Sequence, residues 1–118
     1  MAGTPEGKIK NTVKRVLADF GELITVGDYV CHTLKQYWPV PACMGESYLY
    51  CIVCYYGQYI AIETKAPGKK PTPRQELCIA RTRAAGGMAF VIDSEAGVFE
   101  LRAALQRIKD ANDSKRQA

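Results

Sequence analysis

The sequence lacks any apolar run near the ~20 residues of a membrane helix, and residues 1–10 have no signal-peptide core. It also has no internal repeat and no low-complexity tract. With 47% hydrophobic and 24% charged residues in 118, the composition excludes a disordered chain, a coiled coil and a collagen-like repeat. We therefore expect one globular domain without a membrane span, located in the cytoplasm, or in the host cytoplasm if the protein is viral.

Histidine is scarce, and this scarcity bears on the one cysteine motif. His32 is the only histidine, and no second Cys/His pair stands at zinc-ribbon spacing from Cys51 and Cys54. The five cysteines are an odd number, which favours free thiols. Residues three apart on a strand point to opposite faces, so the C-x-x-C spacing indicates strand packing rather than a metal or redox pair.

Positive charge is concentrated in one segment of the chain. The whole chain has 16 Lys and Arg against 12 Asp and Glu. Residues 65–83 alone contain six basic side chains, with Glu76 as their one acidic residue. Such a segment is either a solvated helix face or a surface that binds phosphates. Lys69, Lys70 and Arg74 are the residues that we expect to contact phosphates, because they follow Lys65 closely.

Capping signals and hydrophobic spacing predict a single α/β domain, a mixed sheet flanked by helices. Thr4 and Thr72, each followed by proline, predict the starts of two helices, and Gln75 completes a capping box with Thr72. A short strand is expected over residues 28–33, and residues 35–47 are expected to be mostly loop. The predicted order is αβββαβα over residues 1–110, followed by a polar tail, 111–118.

A β-hairpin is the clearest local signal. Residues 48–54 and 59–65 are rich in β-branched and aromatic side chains and flank a short turn. With Tyr56 and Gly57 at the centre of the turn, Tyr55 faces Gln58 and residue 50 lies opposite Glu63. This register places whatever residue stands at position 50 beside Glu63.

Glu63 and Lys65 are two apart on the second strand of this hairpin, so their side chains leave the same face. A carboxylate at the end of an apolar strand is costly to bury unless it is paired or binds a metal. The pair is either a simple ion pair at a strand end or a metal carboxylate beside a lysine. In the second case it could hold Mg²⁺ and neutralise charge on a phosphate.

Several strings in the chain resemble the VRR-NUC nucleases of the PD-(D/E)xK superfamily, particularly the small stand-alone, phage-type members that are similar to Holliday-junction resolvases. The resemblance covers nearly the whole chain. It is carried by TPEGKIK, YWPVP, YCIVCYYGQYIAIETKAPGKKPTPRQ and AAGGMAFVIDS. It implies a metal-dependent endonuclease, with Mg²⁺ or Mn²⁺, that cuts branched or junction DNA as a homodimer.

The resemblance also implies roles for individual residues. Glu63 would be a metal-binding carboxylate, the Thr64 carbonyl would face the metal, and Lys65 would position the attacking water. Gln75 would join the site from the second helix. Glu6 matches an acidic residue on the first helix that reaches the metal, and Lys10, four residues later on the same face, is assigned to DNA contact.

Tyr50 departs from the pattern, because the family has an aspartate at this metal-binding and catalytic position. A phenol has a pKa of about 10, so it is neutral near pH 7 and a poor ligand for Mg²⁺. We therefore expect greatly impaired cleavage by this chain. Glu46 could supply the missing carboxylate, but four strand residues span about 13 Å, which is too far without a sharp bend.

Two other functions stay open. One is a catalytically inactive pseudo-nuclease that binds or caps DNA junctions through the same basic residues. The other is an α/β protein unrelated to DNA, which would leave the basic segment without a purpose. DNA binding that weakens with salt separates the first from the second.

Overall fold

The computed structural model describes residues 3–37 and 49–117 of the chain. Within these ranges the chain forms helices and strands in the order αβββββαβα. The helices are α1 (Pro5–Phe20), α2 (Pro73–Ala84) and α3 (Glu95–Gln117). The strands are β1 (Leu23–Val26), β2 (Tyr29–His32), β3 (Leu34–Tyr37), β4 (Cys51–Tyr55), β5 (Gln58–Thr64) and β6 (Met88–Ile92).

The main sheet is mixed and has the strand order β3-β4-β5-β6. β3, β4 and β5 are antiparallel neighbours, whereas β6 runs parallel to β5 and is reached through α2. The hairpin register is confirmed, because Tyr55 pairs with Gln58 and Cys54 with Tyr59. The prediction of an α/β domain with a mixed sheet flanked by helices is therefore confirmed.

Helices pack on both faces of this sheet. α1 and α3 cover one face, where the largest cluster of buried side chains lies. This cluster includes Val13, Leu17, Val53, Tyr55, Ile60, Ile62, Leu101 and Leu105. α2 lies on the other face, where Ile79 joins a smaller cluster with Ala61 and Ala89. Adjacent residues of β5 therefore alternate between two cores, which explains why that strand is almost continuously apolar.

The predicted element order was wrong in the first third of the chain. One strand was expected over residues 28–33, but β1 and β2 form a separate two-stranded antiparallel sheet there. Gly27 makes their tight turn possible with a φ of +60°. β3 then occupies the beginning of the segment predicted to be loop. The rest of that segment, together with Glu46, lies outside the described residues.

At the C-terminal end α3 continues to Gln117, so the polar residues 111–117 belong to a helix. Side chains four residues apart connect along its polar end. Gln106 donates to Asp110 at 3.0 Å, and the Lys109 ammonium contacts Asp113 at 3.1 Å. Such pairs support a helix that has few apolar residues. Across the described ranges, no helix is long and apolar enough to cross a membrane.

Candidate site around Glu63

Glu63 is a buried carboxylate near the end of an inner strand. It lies on β5, between β4 and β6, and is only 7% exposed. Its strand neighbours Ala61 and Lys65 leave the same face of the sheet, the face on which α2 packs. A carboxylate at this depth requires polar partners, since burial without them would cost several kcal/mol.

Three groups surround the Glu63 carboxylate. The Tyr50 backbone N–H donates to Oε1 at 2.8 Å. The Gln75 amide Nε2 donates to Oε2 at 3.0 Å, and the Lys65 Nζ lies 3.4 Å from the same oxygen. The charge is therefore neutralised by a lysine and held in orientation by two N–H donors from different elements.

Gln75 connects the site to the start of α2. Its backbone N–H donates to the Thr72 hydroxyl at 3.2 Å, and its Oε1 accepts from the Thr72 backbone N–H at 2.9 Å. The capping box predicted from the sequence is thus present. Because Nε2 of the same amide reaches Glu63, one side chain both caps the helix and holds the carboxylate.

Lys65 and Thr64 are fixed by the parallel pairing of β5 with β6. The Lys65 N–H donates to the Ile92 carbonyl at 2.9 Å. The backbone of Lys65 therefore stays paired with β6, and only its side chain projects from the sheet. The Thr64 side chain is buried, and its hydroxyl has no hydrogen-bond partner among the described residues. Ile92 was not identified from the sequence as the backbone partner of Lys65. Parallel pairing of the MAFVI strand with β5 would have indicated this contact.

Tyr50 lies where the hairpin register places it, opposite Glu63, but its contact with Glu63 is through the backbone. Its ring packs against the core beside α1, and the Lys10 ammonium lies 4.9 Å from the ring centre. Burial raises the pKa of Tyr50, and the nearby Cys51 and Glu6 raise it further. The phenol is therefore held even more firmly in its neutral form than in water.

The described site brings together six of the predicted residues. Lys65 and Gln75 each contact Glu63, the Tyr50 N–H donates to it, and the Tyr50 ring lies under Lys10 of α1 and within the electrostatic influence of Glu6. The predicted DNA-contact residues form a second group, exposed on the loop after β5 and on the first turn of α2. This group consists of Lys69, Lys70 and Arg74.

The donor set around Glu63 fits a divalent metal only in part. Glu63 is one carboxylate, both of its oxygens already accept hydrogen bonds, and Tyr50 reaches it only through a backbone N–H. Nowhere in the described residues do three or more His, Cys, Asp or Glu side chains form a group that could hold a metal. Mg²⁺ prefers several anionic or neutral oxygens, so the side chains present do not complete a magnesium site.

Comparison with known proteins gives no further constraint on the site. No protein-family model matches the chain, and no curated protein or solved structure is significantly similar to it. No family membership follows from these comparisons.

Proposed function

We propose that this chain is a structure-specific DNA endonuclease of the PD-(D/E)xK type whose cleavage is greatly impaired by Tyr50. The observation that carries the proposal is the Glu63 carboxylate, buried at the end of β5 and held by Lys65 and Gln75. A buried carboxylate and lysine at the edge of a basic surface is the arrangement that phosphodiester chemistry needs.

The proposed partner is DNA, in its branched or junction forms. Lys69, Lys70 and Arg74 are exposed close to Lys65 in the sequence, and this part of the chain has a strong surplus of positive charge. Contacts of lysine and arginine with phosphates give affinity and orientation without reading the base sequence. We therefore expect the protein to recognise the shape and charge of the DNA backbone. The proposed location is the cytoplasm.

Divalent metal would supply the Lewis-acid chemistry in an intact site of this kind, as Mg²⁺ or Mn²⁺. In this chain Tyr50 replaces the second carboxylate with a neutral group, and its raised pKa keeps it neutral. Lys65 and Gln75 still hold Glu63 in one orientation. The defect is therefore confined to one ligand position, with the rest of the arrangement kept.

A second candidate is a junction-capping protein that binds DNA without cutting it. The observation that favours it is the same neutral Tyr50, which lies under the Lys10 ammonium and packs against the core. A side chain integrated in this way contributes to packing rather than to metal binding. The two candidates differ only in whether one substitution at position 50 is enough to produce cleavage.

The decisive experiment compares the chain with its Tyr50→Asp variant on a labelled four-way junction and a matching linear duplex, with Mg²⁺ or Mn²⁺. Binding is recorded in the same samples over a range of salt concentrations. We expect metal-dependent cleavage by the variant and little by the parent chain, since Asp adds the second anionic ligand beside Glu63. Tyr50→Asn, which adds no charge, is the matched control and should stay inactive.

Each other outcome has a definite meaning. Cleavage by both proteins would show that another group replaces the aspartate, with Glu6 and Glu46 as the next residues to substitute. Binding without cleavage by either protein would favour the junction-capping candidate. Binding that is absent, or that does not weaken as salt rises, would reject both candidates, because phosphate contacts release counterions.

We also propose that the protein acts as a homodimer. The sheet of β1 and β2 supports this, because apolar residues are more than half exposed on both of its faces, Val26 and Tyr29 on one and Leu23 and Val30 on the other. Two-stranded sheets are marginal alone, and exposed apolar clusters mark protein interfaces. Two symmetric incisions in a junction would also require two copies.

A further inference from the structure

One part of the main sheet has no helix over it among the described residues. α2 packs over β5 and β6, where Ala61 and Ala89 are buried. On β3 and β4 the same face is exposed at Lys35, Tyr37 and Cys54 and only partly buried at Ile52. We call this surface, together with Tyr59 of β5, the open face.

The strand register fixes how the side chains of the open face are arranged. Lys35, Cys54 and Tyr59 lie in one row across three strands, and Tyr37 lies in the next row with Ile52. Strands are about 4.8 Å apart and residues of one face about 6.8 Å apart along a strand, so the two tyrosines are about 12 Å apart. Tyr37 is 54% exposed and Tyr59 is 47% exposed.

The charge of the open face favours an anionic occupant. Lys35 and Glu63 are the charged residues within β3, β4 and β5, and Glu63 is buried and paired with Lys65. The exposed surface therefore carries only positive charge. The Lys35 ammonium lies 5.1 Å from the centre of the Tyr37 ring, which places a cation and an aromatic plane together.

The open face borders the Glu63 site on the same side of the sheet. Tyr59 and Glu63 are on the same face of β5, four residues apart, which corresponds to about 13 Å along the strand, and buried Ala61 lies between them under α2. Tyr37 lies in the row of Ala61, one row nearer to Glu63, and is about 12 Å from Glu63 across the sheet. A nucleic acid strand on the open face would therefore approach Glu63 from Tyr37 rather than from Tyr59.

We propose that the open face binds single-stranded DNA, with bases stacked on Tyr37 and Tyr59 and a phosphate near Lys35. The proposal rests on the proposed function and extends it, since the bound strand would be an unpaired arm of a branched substrate. Exposed aromatic residues on a sheet are a general means of binding unpaired bases, and each stacked base contributes substantially to affinity. In a duplex the base faces are already stacked, so this surface would discriminate against it.

The test is fluorescence anisotropy with a short labelled oligothymidine and with a duplex of equal length, in EDTA. We expect Tyr37→Ala to raise the dissociation constant for the single strand about tenfold, with little change for the duplex. Tyr37→Phe keeps the ring and should keep the affinity. Phe99→Ala removes an aromatic side chain that is 72% exposed on α3, away from the open face, and is the matched control.

Tyr59 gives a second, independent variant. An added Cβ at Gly87 would be 3.1 Å from the Tyr59 ring, so the ring packs closely over that glycine. Tyr59→Phe preserves this packing, whereas Tyr59→Leu removes the aromatic plane with less loss of volume than alanine. We expect the Leu variant to weaken single-strand binding and the Phe variant to retain it, with circular dichroism to confirm folding.

Three results would overturn the proposal. In the first, the single-strand affinity of Tyr37→Ala equals that of the parent. In the second, Tyr59→Leu leaves the single-strand affinity unchanged. In the third, Tyr37→Ala changes the oligomeric state instead, as expected for a second copy. Because binding is measured without metal, failure of Tyr50→Asp to cleave would leave this result intact, and the two proposals fail separately.

Discussion

Cys51 is fully buried at the start of β4, close to the Glu63 carboxylate. Burial raises the pKa of its thiol to about 12, and the charge of Glu63 contributes in the same direction. The C-x-x-C spacing does not make a reactive pair, because Cys54 is exposed on the opposite face. Cys51 thus behaves as a small apolar side chain that resists ionisation in the folded state.

This environment predicts a loss of stability at alkaline pH. In the unfolded chain the thiol ionises near pH 9.0, whereas in the folded chain it holds its proton to about pH 12. The contribution of the protonated Cys51 thiol to the free energy of unfolding is complete below about pH 9. It declines as pH rises, by up to ~1.4 kcal/mol per pH unit. Urea unfolding of the chain and of Cys51→Ala between about pH 9 and pH 10 measures the difference. Equal slopes for the two proteins would contradict the prediction.

The start of α2 shows how one element both forms locally and builds the site. Thr72, Pro73 and Gln75 provide a cap, a first-turn proline and a capping-box partner within four consecutive residues. The helix then ends before Gly86, whose φ of +91° suits glycine. The cap requires no tertiary contact, whereas the approach of the Gln75 amide to Glu63 depends on the packing of α2 on the sheet through Ile79.

Removal of the cap should therefore affect both stability and the site. Thr72→Ala is expected to cost about 1 kcal/mol of unfolding free energy and to release Gln75. Thr4→Ala removes the cap of α1, where the Thr4 hydroxyl accepts from the Gly7 N–H at 3.0 Å, and is the matched control. In the Tyr50→Asp background we expect Thr72→Ala to lower kcat several-fold more than Thr4→Ala. If the two variants had equal stability and equal kcat, Thr72 would act only as the cap of α2 and not through the site.

The same distinction between local and distant causes explains which elements were predictable. α1, α2 and the β4–β5 hairpin have caps, a turn and matching side-chain periods in their own sequence, so the positions of the helices and the register of the hairpin were predictable, whereas β4 begins three residues later than expected. β1 and β2 lack alternation, because they do not contribute to the main core and expose apolar residues on both sides. The polar end of α3 depends on pairs such as Lys109 with Asp113, a weak signal in sequence.

Within the site, strand spacing predicted that Glu63 and Lys65 share a face, whereas only the family resemblance implied that Gln75 joins them. The placement of the Tyr50 ring was not predictable. The register is correct, but β4 begins only at Cys51, and the chain bends at Tyr50. Strand alternation therefore does not determine where the ring points, and its packing beside α1 under Lys10 depends on tertiary structure.

For the molecule as a whole, the sheet of β1 and β2 stands out because it exposes apolar side chains that nothing in the described residues covers. It pairs only with itself among the described strands and presents its apolar side chains to solvent. It has no lysine or arginine, and Asp28 lies in its turn, so a DNA backbone does not suit it. A second copy that covers the face of Leu23 and Val30 would suit it.

We therefore expect a dimer that depends on this sheet. Val30→Glu places a charge on a residue that is 69% exposed at present, and it should convert the protein to monomers. Phe99→Glu makes the same kind of change on α3 and should leave the dimer intact. Sedimentation equilibrium across a concentration series measures both. A monomeric parent chain, or equal dissociation by the two variants, would argue against this interface.

The double role of Gln75 also limits how the length of the chain can change. Residues 66–71 form an exposed loop, closed by a turn in which the Lys69 N–H donates to the Ala66 carbonyl at 3.0 Å. Insertions in such loops usually have little effect on stability. Here the helix would still be capped after an insertion, because its cap moves with it, but the amide would lose its distance from Glu63. Deletions and insertions between Lys65 and Thr72 are thus expected to leave a folded protein with a misassembled site.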